Sequence, residues 1–222
     1  MKTRREPKDF LAFALDLPTA EAARPYVQQL KDHVGYFKIG LELFIAAGPG
    51  FVEEVAEENR VFLDLKLHDI PATVGRASAA AKNLGASLLT VHGSGGEDAA
   101  KAASAGFGDG VLLVTVLTSV AAGENVGALV ESRAAMAEAT GCTGIVCSGH
   151  ETRRIRDAMG ESLFIVNPGI RPTGSAVGDQ KRVVTPKQAV DDGASLLVVG
   201  RPIRDAADPV EAAAAILREI AG

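Results

Sequence analysis

The chain has 222 residues, 47% of them hydrophobic, and a formal net charge of -5. A chain of this size buries one large core or two small ones, and an acidic balance with no Lys/Arg-rich run argues against a nucleic-acid groove or a polybasic membrane patch. No apolar run reaches spanning length and the start MKTRREPKDF lacks the pattern of a signal peptide, so a soluble, cytoplasmic protein is expected. Short β-rich runs then recur from end to end, at 10–16, 36–39, 61–67, 88–92, 111–116, 144–147, 163–166 and 196–199. Between them lie Ala- and Glu-rich segments with helical spacing, such as 72–84 and 209–220. Thr185-Pro186 and Asp208-Pro209 each set a capping residue before a proline at the first helical position, followed by Gln188 and Glu211. Cys142 and Cys147 fit neither a disulfide framework nor a CxxC site and read as buried small hydrophobes.

Strict alternation of strand and helix implies parallel strands, and eight repeats at this length predict a (β/α)8 TIM barrel, a single domain over 1–222. The alternative is an open doubly wound sheet. That architecture normally carries a glycine-rich turn after its first strand, where this chain has Asp16-Leu17-Pro18-Thr19.

The stretch Phe62-Leu63-Asp64-Leu65-Lys66-Leu67-His68-Asp69-Ile70-Pro71 alternates like a strand yet carries charge where a core belongs. Side chains alternate across a strand, so Phe62, Asp64 and Lys66 share one face, and Val61, Leu63, Leu65 and Leu67 the other. The leucine face must meet the helices, which turns Asp64 and Lys66 into the barrel near its C-terminal mouth, where enzymes of this architecture build their sites. The same parity turns Asp16 inward with Ala12 and Ala14, and Lys38 inward between Phe37 and Ile39. Buried charges cost several kcal/mol each unless paired. An ion-pair layer that merely fills the barrel accounts for one such pair, but alternating charges at three strand ends favour a functional reading.

Val198-Val199-Gly200-Arg201-Pro202 offers backbone N–H groups beside a guanidinium after the last strand, where barrels often hold phosphate. The segment 167–185, with Arg171 and Gln180, is longer than an ordinary connection and reads as a lid.

Asp64-Leu65-Lys66-Leu67-His68-Asp69-Ile70-Pro71 resembles the DxKxxDI signature of the orotidine 5′-monophosphate decarboxylase family. Phe13-Ala14-Leu15-Asp16, Phe37-Lys38-Ile39-Gly40, Leu117-Thr118-Ser119, Pro168-Gly169-Ile170-Arg171-Pro172, Gly178-Asp179-Gln180 and Val199-Gly200-Arg201-Pro202-Ile203 match in order, so the resemblance covers essentially the whole chain. Asn167 departs from it, standing where the family more often has threonine.

The resemblance implies a carboxy-lyase that converts orotidine 5′-monophosphate to uridine 5′-monophosphate and CO2, the final step of de novo pyrimidine biosynthesis, with no metal or other cofactor. It implies that Lys66 is electrostatic stabiliser and proton donor, that Asp64 lies against the departing carboxylate, and that Lys38 and Asp69 complete an alternating charge array. It implies a homodimer with shared sites, in which Asp69, Ile70 and Thr73 serve the partner chain. Asp16 and Lys38 would contact the ribose, Ser119 and Pro168 the pyrimidine, and Gln180, Arg201 and the Gly200 amide the phosphate. Without the resemblance, Asp69 reads as a carboxylate favouring the start of the following helix. His68 is expected to be structural, and His92 to fill or line the barrel. A sister decarboxylase using a magnesium-stabilised enediolate and a catalytically silent phosphate-binding barrel stay open; the first needs extra carboxylate ligands, and the second should have lost Asp64 or Lys66.

Overall fold

In a computed structural model, which describes residues 5–117, 124–172 and 184–222, the eight β-rich runs pair in sequence order into a closed parallel barrel. The strands are β1 (Leu11–Ala14), β2 (Tyr36–Gly40), β3 (Val61–Leu67), β4 (Leu88–His92), β5 (Val111–Val114), β6 (Gly144–Val146), β7 (Phe164–Asn167) and β8 (Leu196–Val199). Ten helices of the described residues surround or cap them. These are α1 (Ala20–Leu30), α2 (Leu41–Ala47), α3 (Pro49–Ala56), α4 (Pro71–Asn83), α5 (Gly96–Phe107), α6 (Glu124–Ala139), α7 (Gly149–Met159), α8 (Pro186–Asp191), α9 (Arg201–Arg204) and α10 (Pro209–Ala221). None of them is long and apolar enough to cross a membrane.

Alternation sorts the strands into two packing layers. Leu11, Phe13, Phe37, Ile39, Leu63, Leu89, Leu113 and Leu197 face outward into the continuous core beneath the helices. Ala12, Ala14, Phe62, Leu88, Leu112, Val166, Leu196 and Val198 fill the smaller core inside the barrel. A fully buried leucine or phenylalanine contributes roughly 1.5–3 kcal/mol, so most hydrophobic stabilisation comes from the outer layer. The inner layer leaves the carboxyl ends of the strands to polar side chains. Gly144 is required by the closure itself: a Cβ there would lie 1.9 Å from the Phe164 carbonyl oxygen on β7.

The helix starts follow their local chemistry. Thr185 accepts a hydrogen bond from the Gln188 amide at 3.2 Å, and Asp208 accepts from the amides of Val210 and Glu211 at 3.0 Å. Each satisfies donors that have no partner inside the helix. Strand ends differ from expectation by a residue or two. Phe10 closes a 3-10 turn (Pro7–Phe10) instead of opening β1, and Asp16 lies beyond the last paired residue of that strand. β5 stops at Val114 rather than at residue 116, and β7 is displaced by one residue to end on Asn167. Hydrophobic patterning continues past the point where tilted neighbours stop pairing, which accounts for the early ends of β1 and β5, whereas β7 pairs on through the polar Asn167.

One irregularity positions the site. Between β3 and β4 the register passes from Leu63↔Leu89 directly to Leu67↔Val91, so Asp64, Leu65 and Lys66 face Thr90 alone. This is a bulge, and bulges re-aim side chains.

Candidate active site

Four charges lie in an alternating row across the ends of β1, β2 and β3. The Lys38 ammonium is 2.8 Å from Asp16 Oδ1 and 3.9 Å from Asp64 Oδ2. Lys66 Nζ donates to both oxygens of Asp64 at 2.8 Å. The row therefore reads Asp16, Lys38, Asp64, Lys66, with each inner charge held between two of opposite sign. Lys38 is only 7% exposed, and an ammonium so placed persists because carboxylates on both sides replace its water. Gly40 makes room for it: a Cβ there would meet Lys38 Nζ at 3.1 Å and Asp16 Oδ1 at 3.5 Å. Arg204 of α9 donates to the Asp16 backbone carbonyl at 2.9 Å and ties the β1 end to the segment after β8.

The bulge decides how Lys66 reaches this row. Its φ of 50° makes it the sole non-glycine residue among those described with a positive φ. That conformation costs an L-residue roughly 1–2 kcal/mol. The Lys66 amide donates to the Thr90 hydroxyl at 2.8 Å, and the same hydroxyl donates to Asp64 Oδ1 at 2.9 Å. Thr90 is fully buried. Sequence reading missed it; the available signal was a hydroxyl at an inward position of Leu88-Leu89-Thr90-Val91-His92.

The row forms one wall of a cavity of about 250 Å³ at the barrel mouth. Asp16, Lys38, Asp64 and Lys66 line it together with Pro168, Gly200 and Arg201, so seven of the residues singled out by sequence converge here. Gly169 and Arg171 also line it. Arg171 is buried and donates to the Ile170 carbonyl at 3.0 Å, while its amide donates to Val184 at 3.0 Å. The two flanks of the long segment after β7 are thus joined beside the cavity. Ser119 and Gln180, like residues 173–183 of the 167–185 segment read as a lid, lie outside the described residues.

Asn167, the departure from the family pattern, is fully buried in a closed polar network. It accepts from the Thr152 hydroxyl at 2.8 Å and donates to the Cys147 carbonyl at 3.0 Å, locking β7 to β6 and α7. Cys142 and Cys147 are both buried, as expected, and Cys147 also borders the cavity.

Asp69, Ile70 and Thr73 are not among the residues that line the cavity. Asp69 is exposed and accepts from the Ile70 amide at 2.6 Å, immediately before α4. Ile70 is 65% exposed. Leu41, Ile45 and Leu117 are exposed too, and with Ile70 they follow the carboxyl ends of β2, β3 and β5. His92 stacks on His68 with ring centroids 5.4 Å apart, and its Nδ1 lies 2.6 Å from the Ser94 hydroxyl. Burial lowers the His92 pKa from its ordinary 6.5, assisted by the positive charges of Arg133, His68 and Lys66. Among the described residues no group of three or more His, Cys, Asp or Glu side chains could hold a metal ion.

Residues 9–216 match the sequence profile described as the Orotidine 5'-phosphate decarboxylase / HUMPS family. The orotidine 5'-phosphate decarboxylase of Anaeromyxobacter sp. (strain K) is 50% identical over 222 residues, covering 95% of this chain and 98% of the relative. The crystal structure of orotidine 5'-phosphate decarboxylase from Lactobacillus acidophilus superposes with a TM-score of 0.83 at 34% identity, covering 96% of this chain and 99% of that one. That of the Pyrococcus horikoshii OT3 enzyme gives 0.84 at 29% identity, with 96% and 99% covered. With its profile, its closely similar relatives and its barrel in agreement, the chain belongs to the orotidine 5′-phosphate decarboxylase / HUMPS family.

Proposed function

We propose that the chain decarboxylates orotidine 5′-monophosphate to uridine 5′-monophosphate and CO2, completing pyrimidine nucleotide synthesis, through its side chains alone. The observation that carries this reading is the alternating row of charges ending on Lys66 at the cavity wall. Breaking the bond between ring carbon six and the carboxylate leaves an electron pair on that carbon with no conjugated system to receive it. A fixed ammonium at that carbon stabilises the developing charge without waiting for solvent to reorganise. Lys66 takes this role and then delivers its proton to the same carbon. Asp64, paired with both lysines, keeps them charged and aligned and lies against the departing CO2.

The remaining contacts follow from the same pose. Asp16 and Lys38 meet the ribose hydroxyls; Pro168 and Ser119 meet the pyrimidine. Arg201, the Gly200 amide and Gln180 take the phosphate, at the place where barrels commonly bind one. The working unit is a homodimer in a cytoplasmic setting, with the barrel of 1–222 as its single domain. In it, Asp69, Ile70 and Thr73 enter the neighbour's site. Exposed Ile70, Leu41, Ile45 and Leu117 around the mouth support this, since an apolar rim of that kind is normally covered by a partner.

The test is loss of orotidine 5′-monophosphate absorbance on adding purified protein dialysed against EDTA. Full activity after dialysis is expected, because every charge in the row is a side chain. Activity that returns only with magnesium would point instead to the metal-dependent sister chemistry.

A further inference from the structure

We propose that Thr90 is a positioning residue for the reaction: its single hydroxyl sets both the carboxylate of Asp64 and the backbone of Lys66, and through them the ammonium. The inference rests on the functional reading above and extends it to a residue on β4 that makes up no part of the charged row. Three observations converge on it. First, β3 and β4 lose register where Asp64, Leu65 and Lys66 face Thr90 alone, so the ladder supplies no regular backbone partner there. Second, the Thr90 hydroxyl fills that gap, accepting from the Lys66 amide at 2.8 Å and donating to Asp64 Oδ1 at 2.9 Å. Third, Lys66 is held at a φ of 50°, a conformation that persists only when its surroundings over-determine it.

A hydroxyl suits this position because it is donor and acceptor at once. A methyl group in its place would leave the part-buried Lys66 amide without this acceptor and free one oxygen of Asp64 to turn. Both changes move Lys66 Nζ, which bonds to that same carboxylate at 2.8 Å. Thr90 is fully buried and is not among the residues that line the cavity, so it acts through Asp64 and Lys66 and not on substrate. A residue that merely filled the barrel would be replaced by an isosteric valine with little consequence for turnover.

The experiment compares Thr90→Val and Thr90→Ser with the parent protein. Thr90→Val is expected to lower kcat roughly 10- to 100-fold, the effect of removing one hydrogen bond to a charged group. Its affinity for uridine 5′-monophosphate, measured by calorimetry, should stay within about threefold, because the phosphate and ribose contacts lie elsewhere. Thr90→Ser keeps the hydroxyl and should restore turnover to within about threefold of the parent. Thr90→Val that turns over like the parent, or Thr90→Ser as impaired as Thr90→Val, would overturn the proposal. If Thr90→Val does not fold, Thr90→Ala against Thr90→Ser makes the same comparison. A parent that does not decarboxylate the nucleotide would refute the functional reading and leave the geometric claim to crystal structures. There, Lys66 should leave its positive φ in Thr90→Val; an unmoved Lys66 would refute the claim about Thr90.

Discussion

Asp64 and Asp69 stand in one short stretch, and the fold treats them in opposite ways. Asp64 is mostly buried, bound by the ammonium of Lys66 and the hydroxyl of Thr90, with Lys38 on its other side. Asp69 is exposed and contacts the amide of its own neighbour, Ile70, at the start of α4. A carboxylate with three partners inside its own barrel is a finished piece of machinery. One at an exposed apolar rim is equipped either to cap a helix or to meet another chain. Residues of one signature can thus stand in quite different surroundings, and the distance between them along the chain says nothing about which.

The largest effects should appear on truncation of the buried row and of the exposed rim. Lys66→Ala is expected to lose at least about 100- to 1,000-fold in turnover, the range for removing a preorganised group that faces developing charge. Asp69→Ala should fall comparably if it serves a partner's site. If it only favours the helix start, it should cost at most about 1 kcal/mol of stability and leave turnover near the parent. Assays of both variants with thermal melts separate these outcomes.

Mixing sharpens the comparison further. In a dimer of one Lys66→Ala chain and one Asp69→Ala chain, one site has its own lysine and receives an intact aspartate, while the other lacks both. Random re-pairing of equal amounts should return about a quarter of parental activity, as two-fold symmetry requires. Subunit exchange is checked by mass spectrometry of differently tagged chains. Complete exchange with no recovery would assign Asp69 to its own chain's helix.

A smaller effect is expected at the far side of the cavity. Arg201→Ala should reduce turnover of the nucleotide roughly 10- to 100-fold, the effect of losing one charge-assisted contact, but should scarcely affect the phosphate-free nucleoside. Equal loss on both substrates, followed by the same absorbance assay, would move Arg201 from phosphate to ring.

The smallest effect belongs to the histidines between the two regions. His92 is held below its ordinary 6.5 by burial and then by Arg133, His68 and Lys66, so below that pH the unfolded chain binds more protons than the folded one. Its contribution to stability is complete above pH 6.5 and declines as pH falls from there through the lower folded value. Urea midpoints measured across this window should show a shallower decline for His92→Asn than for the parent.

Periodicity alone was enough for the barrel and for the two faces of its strands, because alternation of side chains is a property of each strand by itself. Hence Ala12, Ala14 and Phe62 were legible as inward, Leu63 as outward, and Asp64 with Lys66 as neighbours on one wall. The helix starts at Pro186 and Pro209 were legible for the same reason, since capping acts within a single turn. Asp69 was not legible in this sense: its residue type fits a helix start and an interface equally well.

What required the tertiary structure was everything that depends on how one strand lies against the next. The Asp16–Lys38 pair at 2.8 Å joins two strand ends that only the barrel brings together. The offset that leaves Asp64, Leu65 and Lys66 facing Thr90 is a matter of register, which no single strand specifies. The positive φ of Lys66 falls within that offset, and the role inferred for a threonine in an apolar run rests on both. Local pattern sets which way a side chain points; closure of the sheet sets which partner it meets, because hydrogen bonds between strands are satisfied only once the whole ring is complete.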